Sequence, residues 1–127
     1  MPKRPSSSAE LMEHEFTQEK ASALGRLGRA FESALDLLRE FDSRNERETL
    51  SSQMRMLRAR LVDQASMALW YFAIQREVCG LRDLRRVLRD YRVPAEVIAR
   101  MGALEVKHQE SVVRKHKSAK RGLSPDS

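Results

Sequence analysis

The chain has 127 residues, and its 24 Lys and Arg against 18 Asp and Glu give a formal net charge of +6. This length allows one domain with a modest core, and a single cysteine excludes a framework of internal disulfides. The first eight residues lack the apolar run of a secretory signal peptide. No apolar run approaches the length of a membrane span. These features predict a soluble, cytoplasmic protein.

The net charge lies in the two ends of the chain. Residues 9–106 carry 16 Lys and Arg and 16 Asp and Glu, so this segment is neutral. The excess comes from residues 1–8 and 107–127. We therefore predict a flexible N-terminal segment over residues 1–8, a single helical domain over 9–106 and a basic, disordered tail over 107–127.

The first predicted helix spans residues 9–41, and Ser7 followed by Glu10 has the spacing of a capping box at its start. Apolar side chains recur three and four positions apart through its second half, which is typical of one buried helix face. Gly25 and Gly28 interrupt the helix, and each costs about 1 kcal/mol relative to alanine. We expect one of these glycines to mark a close crossing with a second helix, opposite Ala65 or Ala68.

The second predicted helix spans residues 45–79, with Ser43 or Asn45 as N-cap and Gly80 in position to end it. A short connection between two long helices favours an antiparallel hairpin. The second helix is apolar on two sides, and the first helix can cover only one of them. The other side is the candidate interaction surface, which consists of Met67, Trp70, Tyr71, Ile74 and Val78. We expect Leu84, Val87 and Val97 to cover part of this surface and a second copy of the chain to cover the rest.

Two short helices are predicted after the hairpin, over residues 82–91 and 94–101. Pro94 suits the first turn of the last helix, and Gly102 is placed to end it. Every apolar pattern has a helical period, so the predicted fold class is all-α. Charged residues around the end of the second helix form a candidate ion-pair cluster, which consists of Arg76, Glu77, Arg82 and Asp83.

Two blocks of sequence are similar to a known family. The first is EKASALGR at residues 19–26, and the second runs from QREVCGLRD at 75–83 to YRVPAEVIARMG at 91–102. Together they resemble a family of short, uncharacterised proteins of alphaproteobacteria that is described as a domain of unknown function. The resemblance implies a small helical bacterial protein. It implies no activity, cofactor or catalytic residue.

The sequence predicts that the protein is not an enzyme. It has no glycine-rich phosphate loop and no ordered catalytic triad. His14 and Glu10 lie on one helix face, but two ligands make a poor metal site. Cys79 has no histidine near it in sequence to act as a base. We expect no catalytic residue, no metal site and no cofactor.

Two functions remain open at this point. The first is protein–protein interaction, including self-association, through the second helix. The alternative is nucleic-acid association, in which residues 81–102 form a helix-turn-helix-like segment and the tail adds weak, salt-sensitive contacts. The candidate electrostatic residues of the tail are Lys107, Arg114, Lys115, Lys117, Lys120 and Arg121.

Overall fold

A computed structural model describes the backbone of residues 7–122 and the side chains of residues 7–115. The described residues contain no strand, which confirms the all-α prediction. The helices are α1 (Ser8–Arg44), α2 (Ser52–Val78), α3 (Leu84–Asp90) and α4 (Ala95–Gly122), and a short 3-10 turn lies at Arg47–Thr49. No helix in this part of the chain combines the length and apolarity that crossing a membrane requires.

The start of α1 agrees with its predicted cap. Ser7 is extended, and its hydroxyl accepts a hydrogen bond from the backbone N–H of Glu10 at 3.2 Å. The 37 residues of α1 make it about 55 Å long. Residues 1–6 of the predicted flexible segment lie outside the described residues, and α1 already begins at Ser8.

The predicted start of the second helix at residue 45 is wrong. The side-chain amide of Asn45 donates to the carbonyl oxygen of Phe41 at 3.0 Å, so Asn45 ends α1 instead of starting α2. An extended connection with a 3-10 turn follows. Ser51 is the cap of α2, since its hydroxyl accepts from the N–H of Met54 at 3.2 Å.

The two long helices form the predicted antiparallel hairpin, but with a different register. Gly28 is buried, and a Cβ added there would lie 3.3 Å from Cε1 of Phe72. A Cβ at Gly25 would instead meet the guanidinium of Arg29 on its own helix. The expected contact with Ala65 or Ala68 is therefore wrong. Because α2 begins later than expected, each residue of α1 faces a residue further along α2.

One core joins all four helices. The rings of Phe31 and Phe72 lie 6.1 Å apart, and the ring of Tyr91 contacts Phe31 edge-on at 5.7 Å. The buried apolar side chains around them are Leu35, Leu38, Val62, Ala65, Leu69, Val87, Val93, Val97 and Met101.

Helix α2 ends just before Gly80, as predicted. Gly80 has a φ of +80°, which favours glycine, and the N–H of Leu81 bonds back to the carbonyl of Arg76 at 2.8 Å. Arg92 has a φ of +50° in the connection to α4, and the guanidinium of Arg39 on α1 donates to the carbonyl oxygens of Tyr91 and Arg92.

Helix α4 does not end at Gly102 but continues to Gly122, so residues 107–122, which were expected to be disordered, are helical. Gly102 keeps a helical backbone, and the residues that follow it up to 121 include no further glycine and no proline to stop the helix. Packing also supports the extension, because the imidazole of His108 contacts the indole of Trp70, with ring centres 5.1 Å apart. The rest of the predicted tail, residues 123–127, lies outside the described residues.

Helix α4 runs parallel to α2. Residue numbers increase in the same direction along both helices: Glu96 contacts Arg58, Arg100 contacts Asp63, and His108 contacts Trp70. The hydroxyl of the fully buried Ser66 lies 3.1 Å from the carbonyl oxygen of Val97, where the two helices approach closely. Because α1 is antiparallel to α2, the N-terminus of α1 and the C-terminus of α4 lie at the same end of the bundle.

Candidate interaction surface

An apolar stripe on α2 is left uncovered by its neighbours. Met67, Tyr71, Ile74 and Val78 follow one another at intervals of four, three and four residues, so they share one face. Each of them is between 42 and 49% exposed. We call these four residues the α2 stripe.

Trp70 was predicted to belong to this surface but is partly covered. Its indole contacts His108 of α4 on one side and the ring of Tyr71, at 5.5 Å, on the other. Trp70 therefore forms the border at which α4 meets the stripe. The remaining predicted residues of the surface all lie on the exposed face.

The segment of α4 around its contact with Trp70 is basic. Lys107 is next to His108, and Arg114 and Lys115 lie about two turns further on, all three exposed. Glu110 is the one acidic residue between 107 and 115. We call Lys107, Arg114 and Lys115 the α4 basic edge. The side chains of the other predicted tail residues, Lys117, Lys120 and Arg121, lie outside the described residues.

The first part of α1 projects beyond the end of α2. The side-chain amide of Gln75 and the thiol of Cys79 bond to the carbonyl oxygen of Lys20 at 3.2 and 3.6 Å, so the last turn of α2 is level with Lys20. Residues 8–19 extend past this point. We call them the N-terminal arm.

The N-terminal arm is acidic and carries exposed apolar side chains. Leu11, Met12 and Phe16 are 51 to 61% exposed. The arm has no Lys or Arg, and its acidic residues are Glu10, Glu13, Glu15 and Glu19. An isolated helix of this length is marginal in water, so α1 gains its order from the hairpin that follows the arm. Sequence reasoning missed this surface, although a run without basic residues and with apolar residues four positions apart indicates it.

A charge cluster holds the opposite end of the bundle together. The buried guanidinium of Arg58 on α2 donates to both oxygens of Asp42 on α1, at 2.8 and 3.0 Å. It also donates to Glu96 on α4, at 3.0 Å from Nη1 to Oε2. Arg47 adds a second guanidinium to Glu96 at 2.6 Å. Sequence reasoning missed this cluster, because its members are far apart in the chain.

The charge cluster is built to stay ionised. The hydrogen bonds from Arg58 hold the pKa values of Asp42 and Glu96 below their ordinary range, although partial burial opposes this effect. The same bonds raise the pKa of Arg58. Carboxylates held in this way are poor general acids or bases near neutral pH.

Two open clefts border the charge cluster, with volumes of about 470 and 640 Å³. Both are lined by Arg47, Glu48, Arg58 and Glu96. Three of these side chains are already joined by the bonds described above. Among the described residues, no group of three His, Cys, Asp or Glu side chains is placed to hold a metal ion.

The predicted ion-pair cluster around the end of α2 is not formed. Among the described residues, Arg76, Glu77, Arg82 and Asp83 make no ion pair with one another. Arg76 instead lies 5.8 Å from the centre of the Phe72 ring and donates to the backbone carbonyl of Asp83 at 3.3 Å. The carboxylate of Asp83 accepts from the N–H of Arg86 and caps α3. Asp83 therefore caps α3 and does not pair with an arginine of the predicted cluster.

The helix-turn-helix-like segment at 81–102 is part of the bundle. Val97 and Met101, on the second helix of this segment, are buried against the core. Glu96, in its first turn, is held by Arg58 and Arg47. A recognition helix reads base edges with its N-terminal residues, and here these residues pack against the protein.

One known protein family matches most of the chain. The model of the family of unknown function DUF6665 matches residues 2–109. The chain belongs to this family. The match includes both blocks of sequence that the resemblance rested on, together with the N-terminal arm, the α2 stripe and the charge cluster. No curated protein and no solved structure matches the chain.

Proposed function

We propose that this DUF6665 protein is not an enzyme and works by binding other proteins, including a second copy of itself, through the α2 stripe. The observation that carries the proposal is the exposure of four apolar side chains in the second half of α2. α2 is held by α1 on one side and by α4 on another. The stripe is thus an apolar surface on a rigid support, which is typical of helix-mediated interfaces.

The chemistry of the described side chains supports a non-enzymatic role. Among the described residues, the charged groups around Arg58 are joined to one another by ion pairs. Cys79 lies at the end of α2, with its thiol on the carbonyl oxygen of Lys20. We further propose a bacterial protein of the cytoplasm, which the single cysteine and the resemblance described above support.

Nucleic-acid association is the weaker alternative. The α4 basic edge offers a few phosphate contacts, which give binding without sequence preference and with strong salt dependence. The first turn of α4, which a helix-turn-helix would use for reading bases, is engaged through Glu96. These observations favour the α2 stripe as the functional surface.

The test is the solution mass of the wild type and of a stripe variant. We expect light scattering at micromolar concentration to give the wild type a mass above the 14.6 kDa of one chain. Tyr71→Glu with Ile74→Glu should return the mass to that of one chain, because buried carboxylates oppose association. Leu37→Glu is the matched control, since Leu37 is a similarly exposed apolar residue on α1. A monomeric wild type, or a stripe variant that still associates, would contradict the proposal.

A further inference from the structure

We infer that the N-terminal arm of one copy packs on the α2 stripe and the α4 basic edge of a second copy, with the reciprocal contact closing a two-fold dimer. This inference rests on the proposed function, and it names the surface that covers the stripe. A two-fold axis makes such a contact reciprocal, so that the arm of each copy meets the stripe of the other and the dimer is closed.

The arm and the stripe match in length. Residues 8–19 and residues 67–78 each span about 18 Å of helix. Each presents large apolar side chains at helical spacing: Leu11, Met12 and Phe16 on the arm face Tyr71 and its neighbours on the stripe in this arrangement. An amphipathic helix that lies along an apolar groove is a common mode of recognition.

The two surfaces are also opposite in charge. The arm carries four glutamates and no basic residue, whereas residues 107–115 of α4 carry three basic residues and one acidic residue. The contact between His108 and Trp70 places this basic segment along the border of the stripe. An arm lying on the stripe would therefore bring Glu13, Glu15 and Glu19 close to basic side chains, which favours association.

Pairing of the stripe with the stripe of a second copy is a poorer solution. A two-fold axis perpendicular to α2 through the stripe would bring the basic edges of the two copies towards each other, and like charges across an interface oppose binding. It would also leave Met12 and Phe16 in water in both copies. The arm avoids both disadvantages, because its charge is opposite to that of the α4 basic edge and its own apolar side chains become buried.

The arm is not placed to cover the stripe of its own chain. Helix α1 is continuous from Ser8 to Arg44, so the arm keeps the direction of the hairpin and points away from the last turn of α2. Folding back onto the stripe would require a break in this helix. A second copy can present its stripe to the arm without any such change.

The experiment uses charge reversal on each surface and then mixes the variants. The arm variant is Glu13→Lys, Glu15→Lys and Glu19→Lys, and the edge variant is Lys107→Glu, Arg114→Glu and Lys115→Glu. In a homodimer of either variant, the arm and the edge have the same sign. In a mixed dimer, both junctions have opposite signs. The surface control, called the α3 control, is Arg82→Glu, just before α3, with Arg85→Glu and Arg89→Glu on that helix; all three residues are exposed.

We expect each variant alone to associate at least about tenfold more weakly than the wild type at low salt. An equimolar mixture should restore the dimer, as measured by sedimentation velocity with one variant labelled, and the α3 control should behave like the wild type. Circular dichroism of every variant verifies that the helices are retained. A folding defect in either variant would also be present in the mixture. Restored association in the mixture therefore means that the two altered surfaces bind each other.

Other outcomes separate this inference from the proposed function. If the wild type dimerises through Tyr71 and both reversal variants still form homodimers, the arm does not cover the stripe, although the stripe remains the interface. If the variants lose association and the mixture does not regain it, the arm and the edge are not partners. If the wild type is monomeric, self-association itself is wrong, and the arm exchange fails with it.

Discussion

Arg58 and Asp42 face each other across the helical hairpin, and both carboxylate oxygens of Asp42 accept from the guanidinium. Asp42 lies in the last turn of α1, where a negative charge is unfavourable next to the helix dipole. Arg58 reverses this disadvantage and at the same time holds Glu96 at the start of α4. One side chain therefore fixes three helices at one end of the bundle.

Replacing Arg58 should destabilise the protein. In Arg58→Met, Asp42 loses its partner and Glu96 keeps only Arg47. We expect a loss of about 1–3 kcal/mol in the free energy of unfolding. The value is lower than for a fully buried pair because Asp42 and Glu96 are each more than a third exposed and solvent screens them. Urea unfolding measures this loss. Arg55→Met, at an exposed arginine of the same helix, is the control and should change stability little.

Acid should weaken the same cluster. The pKa values of Asp42 and Glu96 are lowered in the folded protein by the hydrogen bonds from Arg58. A carboxyl group with a depressed folded pKa contributes stability above its unfolded pKa of about 4, and this contribution disappears as pH falls through the folded value. We expect the free energy of unfolding to decrease below about pH 4.5, and to decrease less in Arg58→Met. Equal slopes in both proteins would show that other carboxylates cause the acid effect.

The two glycines of α1 should respond differently to alanine. A Cβ at Gly25 meets only the flexible guanidinium of Arg29, so Gly25→Ala should stabilise the protein by about 0.5–1 kcal/mol through helix propensity. A Cβ at Gly28 lies 3.3 Å from the ring of Phe72, which is itself packed on Phe31. Gly28→Ala should gain less or lose stability. Thermal unfolding compares the two directly, and an equal gain at both sites would place Gly28 away from α2.

Trp70 should report on the helical extension of α4. His108→Ala removes the ring that covers the indole, and we expect the fluorescence emission of Trp70, the only tryptophan, to shift to longer wavelength. The loss in stability should be about 0.5–1.5 kcal/mol. His14→Ala, on the N-terminal arm, is the control. An unchanged spectrum in His108→Ala would mean that α4 does not pack on Trp70.

The sequence was sufficient to predict the architecture because helical periodicity is a local property. The apolar repeats of α1 and α2 predicted the hairpin, Ser7 predicted the start of α1, and Gly80 predicted the end of α2. The connection between the helices was harder. Asn45 suits both the end of one helix and the start of the next, and its bond to the carbonyl of Phe41 decides between them. An error there shifted the register, and with it the expected partner of Gly28.

The charge cluster and the extent of α4 depend on contacts that sequence patterns do not specify. Arg58, Asp42 and Glu96 belong to three helices and meet only in the folded bundle. The polar composition after residue 106 favours disorder, but this segment also contains good helix formers. The contact of His108 with Trp70 extends the packing of α4 on α2 beyond Val106.

The parallel arrangement of α2 and α4 gives the molecule a gradient of local stability along its long axis. At one end, Arg58 joins three helices over buried apolar residues. At the other end, the acidic start of α1 and the basic end of α4 both leave the core, each with the charge that its own helix dipole favours. We expect backbone amides there to exchange through small local fluctuations, and those beside Phe31 only when the bundle unfolds. The charge cluster that joins three helices and the surfaces proposed to bind a second copy thus lie at opposite ends of the bundle.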